Sequence, residues 1–277
     1  MNFYFNTVKY KRPSIKVTIK KYLKYYIKNI FNYDITLERR LIKSKVLLDN
    51  QELLRKYIFN NTMLSNDKLL NLKISLEYLI NNKIEGDIVE CGVWKGGAMA
   101  YTSCLLIENS FYKNLYLYDL FDHCPQGDVN HDGERVLKEI GIKESQGLLK
   151  PITNSYDNID HNGPGNKKNV NDLIINKIGY PSEKVRLIKG YFQETLLIKK
   201  NLPEKISLLR LDGDWYASTK VCLENLYDLV EKGGIIIIDD YFAFEGCKKA
   251  VDEFLTNQEH KPLINSFYNK LIYWVKN

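Results

Sequence analysis

Two short stretches place paired acids directly behind apolar runs. LLRLDGDWYAST carries Asp212 and Asp214, and IIIIDDY carries Asp239 and Asp240. Apolar runs of this kind read as buried strands. If the two strands are neighbours, up to four carboxylates converge on one small region. Like charges that close repel and shift one another's pKa values. A divalent cation resolves the conflict, and an all-oxygen set suits Mg²⁺, Mn²⁺ or Ca²⁺ rather than zinc. A plainer reading is that one acid of each pair caps the following helix; Asp214 is placed to cap one starting near Tyr216.

A second constellation lies upstream, in Glu90-Cys91-Gly92-Val93-Trp94-Lys95-Gly96-Gly97. Glycines there let the backbone turn tightly and approach a ligand closely. A helix opening near Gly97 offers free N–H groups. The next apolar run, LYLYDLFD, ends in Asp119, placed to accept hydrogen bonds from a ribose diol. The spacing is not the G-x-G-x-x-G that cradles a pyrophosphate. S-adenosylmethionine carries an ammonium and a sulfonium instead of a phosphate, and Glu90 at the strand end suits those cations. A glycine turn that only packs a helix on a sheet is the simpler alternative.

The elements that must position these groups alternate. Helical patterns over 14–31, 36–60 and 66–82 precede a strand over Asp87–Cys91, a helix over Gly96–Glu108 and a strand over Leu115–Asp119. A turn-rich polar region follows from His123 to Asn169, containing HCPQGDVNHDG and HNGPGNKKN. Then come a helix over 170–179, strands over Val185–Lys189 and Ile206–Leu211, and a helix over Tyr216–Glu231 ended by Gly233–Gly234. A strand over Ile235–Ile238 and a helix over Cys247–Leu255 lead to Leu263–Phe267 and Lys270–Val275, paired as a hairpin through Tyr268–Asn269. Such alternation implies an α/β fold with a mostly parallel, doubly wound sheet. Ligands bind beyond the carboxyl ends of such strands, where every motif above lies.

The net charge of +6 is unevenly spread. Residues 1–45 hold twelve Lys or Arg against two acids, a net of +10, so the remainder sums to −4. The body is therefore not a nucleic-acid groove. The five cysteines show no metal-finger spacing and read as free thiols. No apolar stretch approaches the length of a membrane span. The first residues lack the apolar core of a signal peptide. A cytoplasmic protein is expected. The basic arm can be a solvated helix, an oligomerisation arm that makes the protein a homo-oligomer, or a peripheral contact with an anionic membrane or polymer.

GDIVECGVWKGG, KGYFQETL, LLRLDGDWYAST and GGIIIIDDYFAFEGCKKAVDEF together resemble the macrocin O-methyltransferase (TylF-like) family, over about residues 60–277. The resemblance implies a Rossmann-like methyltransferase fold: a mostly parallel seven-stranded sheet with a C-terminal antiparallel hairpin. It divides the chain into a helical basic extension, 1–60, and a methyltransferase domain, 61–277. The resemblance does not place the polar region 123–169, which is read from its length and composition as a lid over the acceptor. It also implies bound S-adenosylmethionine with Mg²⁺ (or Mn²⁺) and a hydroxyl acceptor on a sugar or other small molecule or glycan.

By analogy Asp212, Asp239 and Asp240 fall where the family ligates metal, and Asp214 where several members carry a general base. Trp215 stands where other members carry a histidine base, which excludes that variant. Thr62 and Met63 resemble a segment that packs on the cofactor, beside Glu90, Gly92, Gly96, Gly97 and Asp119. Gly190 and Tyr191 match the turn near the adenine. The family's usual DSFEGLP is DLFDHCPQ here, which leaves the acceptor open. His123, His131 and His161 lie in the lid region, as solvated side chains or as ligands or bases. The competing activities are a catechol-type O-methyltransferase, a nicotinamide-dependent oxidoreductase or epimerase, and a non-enzymatic binding module.

Overall fold

The computed structural model describes residues 50–125, 127, 129–133 and 165–277. The helix expected over 14–31, most of that over 36–60, and His161 lie outside them. The described chain starts with α1 (Gln51–Leu53), which continues as a π-helical turn over Leu54–Ile58, and α2 (Asn66–Asn81). The core elements follow as β1 (Asp87–Cys91), α3 (Gly97–Glu108), β2 (Leu115–Asp119) and α4 (Val129–Asp132). Next come α5 (Lys167–Asn171), with a π-helical turn over Asp172–Lys177, β3 (Val185–Lys189), α6 (Phe192–Thr195) and β4 (Ile206–Leu211). The chain closes with α7 (Tyr216–Leu226), β5 (Val230–Ile238), α8 (Glu245–Thr256), β6 (Asn265–Phe267) and β7 (Leu271–Val275).

The seven strands form one sheet in the order β3-β2-β1-β4-β5-β7-β6. The first five are parallel; β7 runs antiparallel to β5 and to β6. This is the mostly parallel sheet with a terminal hairpin that the order of elements implied. All six residues of β4 are buried, as expected of a central strand covered on both faces. Tyr268 and Asn269 have φ of 52° and 53°, and the Lys270 N–H donates to the Phe267 carbonyl at 3.0 Å, which closes the turn between β6 and β7. Ser65 caps α2 by accepting the N–H of Lys68.

One boundary differs from the sequence expectation. The helix does not run to Glu231 and is not ended by Gly233–Gly234. It stops at Leu226, a 3₁₀ turn covers Tyr227–Leu229, and both glycines lie inside β5. The register explains this: Ile206 faces Val230 and Leu208 faces Ile235, so β5 carries extra residues as a bulge. Gly233 takes φ 83°, donates to the Lys276 carbonyl at 2.7 Å, and so keeps the bulge in the sheet. Burying Val230 on Ile206 outweighs the helical pattern of the residues around it.

Candidate active site

The carboxyl ends of β1, β2 and β4 and the loop after β3 surround a cavity of about 270 Å³. Met63, Gly92, Asp119, Gly190, Tyr191, Asp212 and Asp214 all line it. On the β1 side the backbone is packed to the limit. A Cβ on Gly92, whose φ is 92°, would stand 1.9 Å from the Asp212 carbonyl oxygen. That contact lets the turn after β1 lie directly on the turn after β4. At Gly97 a Cβ would meet the Asn61 carbonyl oxygen at 2.3 Å, and the Gly97 N–H donates to that oxygen at 2.8 Å. The Asn61–Met63 stretch is thereby fixed against the start of α3. Thr62 is buried and Met63 is half exposed to the cavity. Gly96 adopts φ 79° with its α-carbon against Val170, and Gly190 adopts φ 141°.

Asp119 is engaged by its own neighbours. Its Oδ2 accepts from Val93 N at 2.6 Å and Trp94 N at 2.9 Å, and Oδ1 accepts from Phe121 N at 2.6 Å. These use three of about four acceptor positions on a carboxylate. Burial raises its pKa and the three N–H groups oppose that rise. Beyond it, His123 Nδ1 contacts Asp122 at 2.5 Å, Asp122 pairs with Lys189 at 2.7 Å, and His123 Nε2 lies 3.4 Å from the Tyr191 hydroxyl.

The acids behind β4 and β5 meet because those strands are neighbours. Asp212, Asp214 and Asp240 each offer a carboxylate oxygen within 4.8 Å of the others. Asp239 points elsewhere: it accepts from Arg210 Nη2 at 2.7 Å and from Lys68 Nζ. Arg210 is fully buried and binds three acids, reaching Glu90 at 2.6 Å through Nη1 and Asp212 at 2.9 Å through Nη2. The other oxygen of Glu90, Oε2, is buried with no hydrogen-bond partner among the described residues. Burial, opposed by Arg210, pushes the Glu90 carboxyl up to about 8. Burial and then the charge of Asp212 push Asp214 up to about 8, and burial with its three acidic neighbours raises Asp240 well above the usual range. Were Glu90, Asp212, Asp214, Asp239 and Asp240 all ionised, Arg210 and Lys68 would balance only two of their charges. This all-oxygen donor set fits a hard divalent cation.

Asp214 does not cap α7. It sits at φ 62°, donates its N–H to Asp240 Oδ2 at 3.1 Å, and lies 3.9 Å from the Cys124 thiol. The N–H of Tyr216 is taken instead by Asp132 Oδ1 at 2.7 Å. Asp132 belongs to the region read as a lid, and that region is pinned at two further points. Trp215 Nε1 donates to the Pro125 carbonyl at 2.7 Å, and His131 stacks on Tyr216 with centroids 4.3 Å apart. Neither Arg210 nor Lys68 was singled out in the sequence. Arg210 had a signal, as a lone charge inside an apolar strand; Lys68 had none.

The macrocin-O-methyltransferase (TylF) family model matches residues 44–163 and 166–276. The chain belongs to that family. It is therefore an S-adenosylmethionine-dependent O-methyltransferase, and the nicotinamide and non-enzymatic readings fall. Among its relatives is demethyldecarbamoylnovobiocin O-methyltransferase of Streptomyces niveus, 29% identical over 77% of this chain and 75% of that one. Another is 8-demethyl-8-(2,3-dimethoxy-α-L-rhamnosyl)-tetracenomycin-C 4′-O-methyltransferase of Streptomyces olivaceus, 30% identical over 70% of this chain and 67% of that one. Among solved structures, the O-methyltransferase NovP superposes with a TM-score of 0.64 at 28% identity, covering 78% of this chain and 82% of that one. The calicheamicin methyltransferase CalS11 shares the fold, with a TM-score of 0.55 at 16% identity over 99% and 98% of the two chains.

Proposed function

We propose that the enzyme methylates a hydroxyl of a sugar or glycoconjugate and that it does so with a divalent cation. The observation that carries the cation is the gathering of Asp212, Asp214 and Asp240, the first two of which line the cavity, with more carboxylates close by than Arg210 and Lys68 can pair. The sugar acceptor rests on the names of relatives such as the rhamnosyl 4′-O-methyltransferase.

In this reading Glu90, Gly92, Gly96, Gly97, Asp119, Gly190, Tyr191, Thr62 and Met63 hold S-adenosylmethionine, which supplies a methyl group on a sulfonium. The glycines bring the backbone close, Glu90, buried behind the cavity lining, is assigned to the cationic end, and Asp119 takes a ribose hydroxyl on its remaining acceptor position. Asp212, Asp239 and Asp240 hold Mg²⁺ or Mn²⁺, which as a Lewis acid would fix and acidify the acceptor hydroxyl. Asp214 accepts the hydroxyl proton as the oxygen–carbon bond forms and the carbon–sulfur bond breaks. General-base catalysis of this kind is worth about 10²–10⁴-fold. A catechol-type acceptor would use the same groups and differ only in an aromatic diol.

Calorimetric titration with S-adenosylhomocysteine, with Mg²⁺ and then with EDTA, tests the cofactor site and the cation separately, with NAD as the control. Binding of adenosylhomocysteine but not NAD is expected. Asp214→Asn should keep that affinity and lose turnover by about 10²–10⁴-fold. Asparagine tolerates the left-handed backbone at this position, so the change leaves the turn intact. A fully active Asp214→Asn enzyme removes the base from the mechanism, and turnover that survives exhaustive chelation removes the cation.

A further inference from the structure

The acids that resemblance assigns to a cation and the acids that lie together differ by one residue. The first set is Asp212, Asp239 and Asp240; the second has Asp214 in place of Asp239. The difference lies in what Asp239 already holds. Its carboxylate is 3% exposed, with Arg210 on one oxygen and Lys68 on the other, and Lys68 Nζ also reaches the Asp239 carbonyl at 3.1 Å.

The two cations are not equivalent. Arg210 is 2% exposed and is anchored by Glu90, Asp212 and Asp239 together. Lys68 comes from the first turn of α2, is 19% exposed, and among the described residues its amine is held by Asp239 alone. A lysine ammonium is a point charge on a flexible stem, whereas an arginine locked on three carboxylates is not free to leave. A buried carboxylate robbed of a partner is strongly destabilising, so whatever displaces Lys68 must itself be a cation.

We propose that Lys68 is a positioning residue that holds Asp239 in the place of a divalent ion and yields that oxygen when the ion binds. The exchange puts a doubly charged ion where a singly charged ammonium stood and needs no covalent step. It brings Asp239 into the ligand set and leaves Asp214 free of it. This inference rests on the cation reading given above.

The test is calorimetric titration of chelator-stripped protein with Mn²⁺, using wild type, Lys68→Met, Lys68→Gln and Lys68→Arg, with folding checked by circular dichroism. Removing the competing charge should tighten Mn²⁺ binding about tenfold in the Met and Gln variants, equivalent to about 1.4 kcal/mol. Lys68→Arg should stay at wild-type affinity or below it. The Tm of metal-free Lys68→Met should fall, and Mn²⁺ should raise it by more than it raises wild type. Should the Met variant not fold, the Gln variant carries the comparison, because its amide keeps a donor for Asp239. Wild-type binding with unchanged or weaker binding in folded Met and Gln variants overturns the role of Lys68 alone. Absence of Mn²⁺ binding in every form overturns the cation reading with it.

Discussion

Glu90 combines a buried contact with Arg210 on one oxygen with no partner among the described residues on the other. Its folded carboxyl keeps a proton up to about 8, while the ordinary value is 4.5. Across that window the folded state binds more protons than the unfolded chain, so this contribution is complete below 4.5 and is lost as pH rises through about 8. Asp214 acts in the same direction, which makes the difference between two proteins the informative quantity. Glu90→Gln should show a flatter dependence of Tm on pH over this range in EDTA than wild type does. Parallel curves would mean that Glu90 is charged in the folded enzyme. At this scale the sequence was partly readable. The four aspartates stand out because each pair follows an apolar run. Arg210 could have been found by asking what a guanidinium inside LLRLD must pair with. Lys68 was out of reach, since its partner lies 171 residues away and α2 shows nothing unusual in its pattern.

Among the elements, α7 is the one on which the site turns. Its entry carries Asp214, Trp215 and Tyr216, and two of these three hold Pro125 and Asp132 at the wall of the cavity. Trp215→Phe keeps the ring against Phe244, at 5.4 Å in the parent, and removes only the donor to Pro125. The KM for the acceptor should rise several-fold, while the affinity for adenosylhomocysteine stays within about twofold, because the lost bond is worth about 1 kcal/mol. A change confined to adenosylhomocysteine affinity would place the Pro125 segment over the cofactor instead. Element types and order were readable because helical and strand periods alternate cleanly. The end of α7 was not, since Asp228–Lys232 satisfies a helical pattern and only the pairing of Val230 with Ile206 decides against it. Adjacency of β4 and β5, on which the acid cluster depends, is a property of the sheet order, which local pattern does not encode.

For the whole molecule, Val46–Asn277 forms one compact unit and the family match opens at residue 44. A chain lacking residues 1–45 should keep its affinity for adenosylhomocysteine and its Tm within about 3 °C, since the family match begins only at residue 44. Comparing its mass in solution and its retention on anionic liposomes with the full chain separates an oligomerisation arm from a surface anchor. Loss of cofactor binding on truncation would put the arm inside the functional unit. The bond between Asn61 and Gly97 adds a mechanical property. Tension applied at Asn50 is carried past α1 to the start of α3, while tension at Asn277 is carried by β7, inside the sheet between β5 and β6. A pull on the first side therefore loads the glycine turn beside the cavity, and a pull on the second loads the antiparallel ladder at the far side of the sheet.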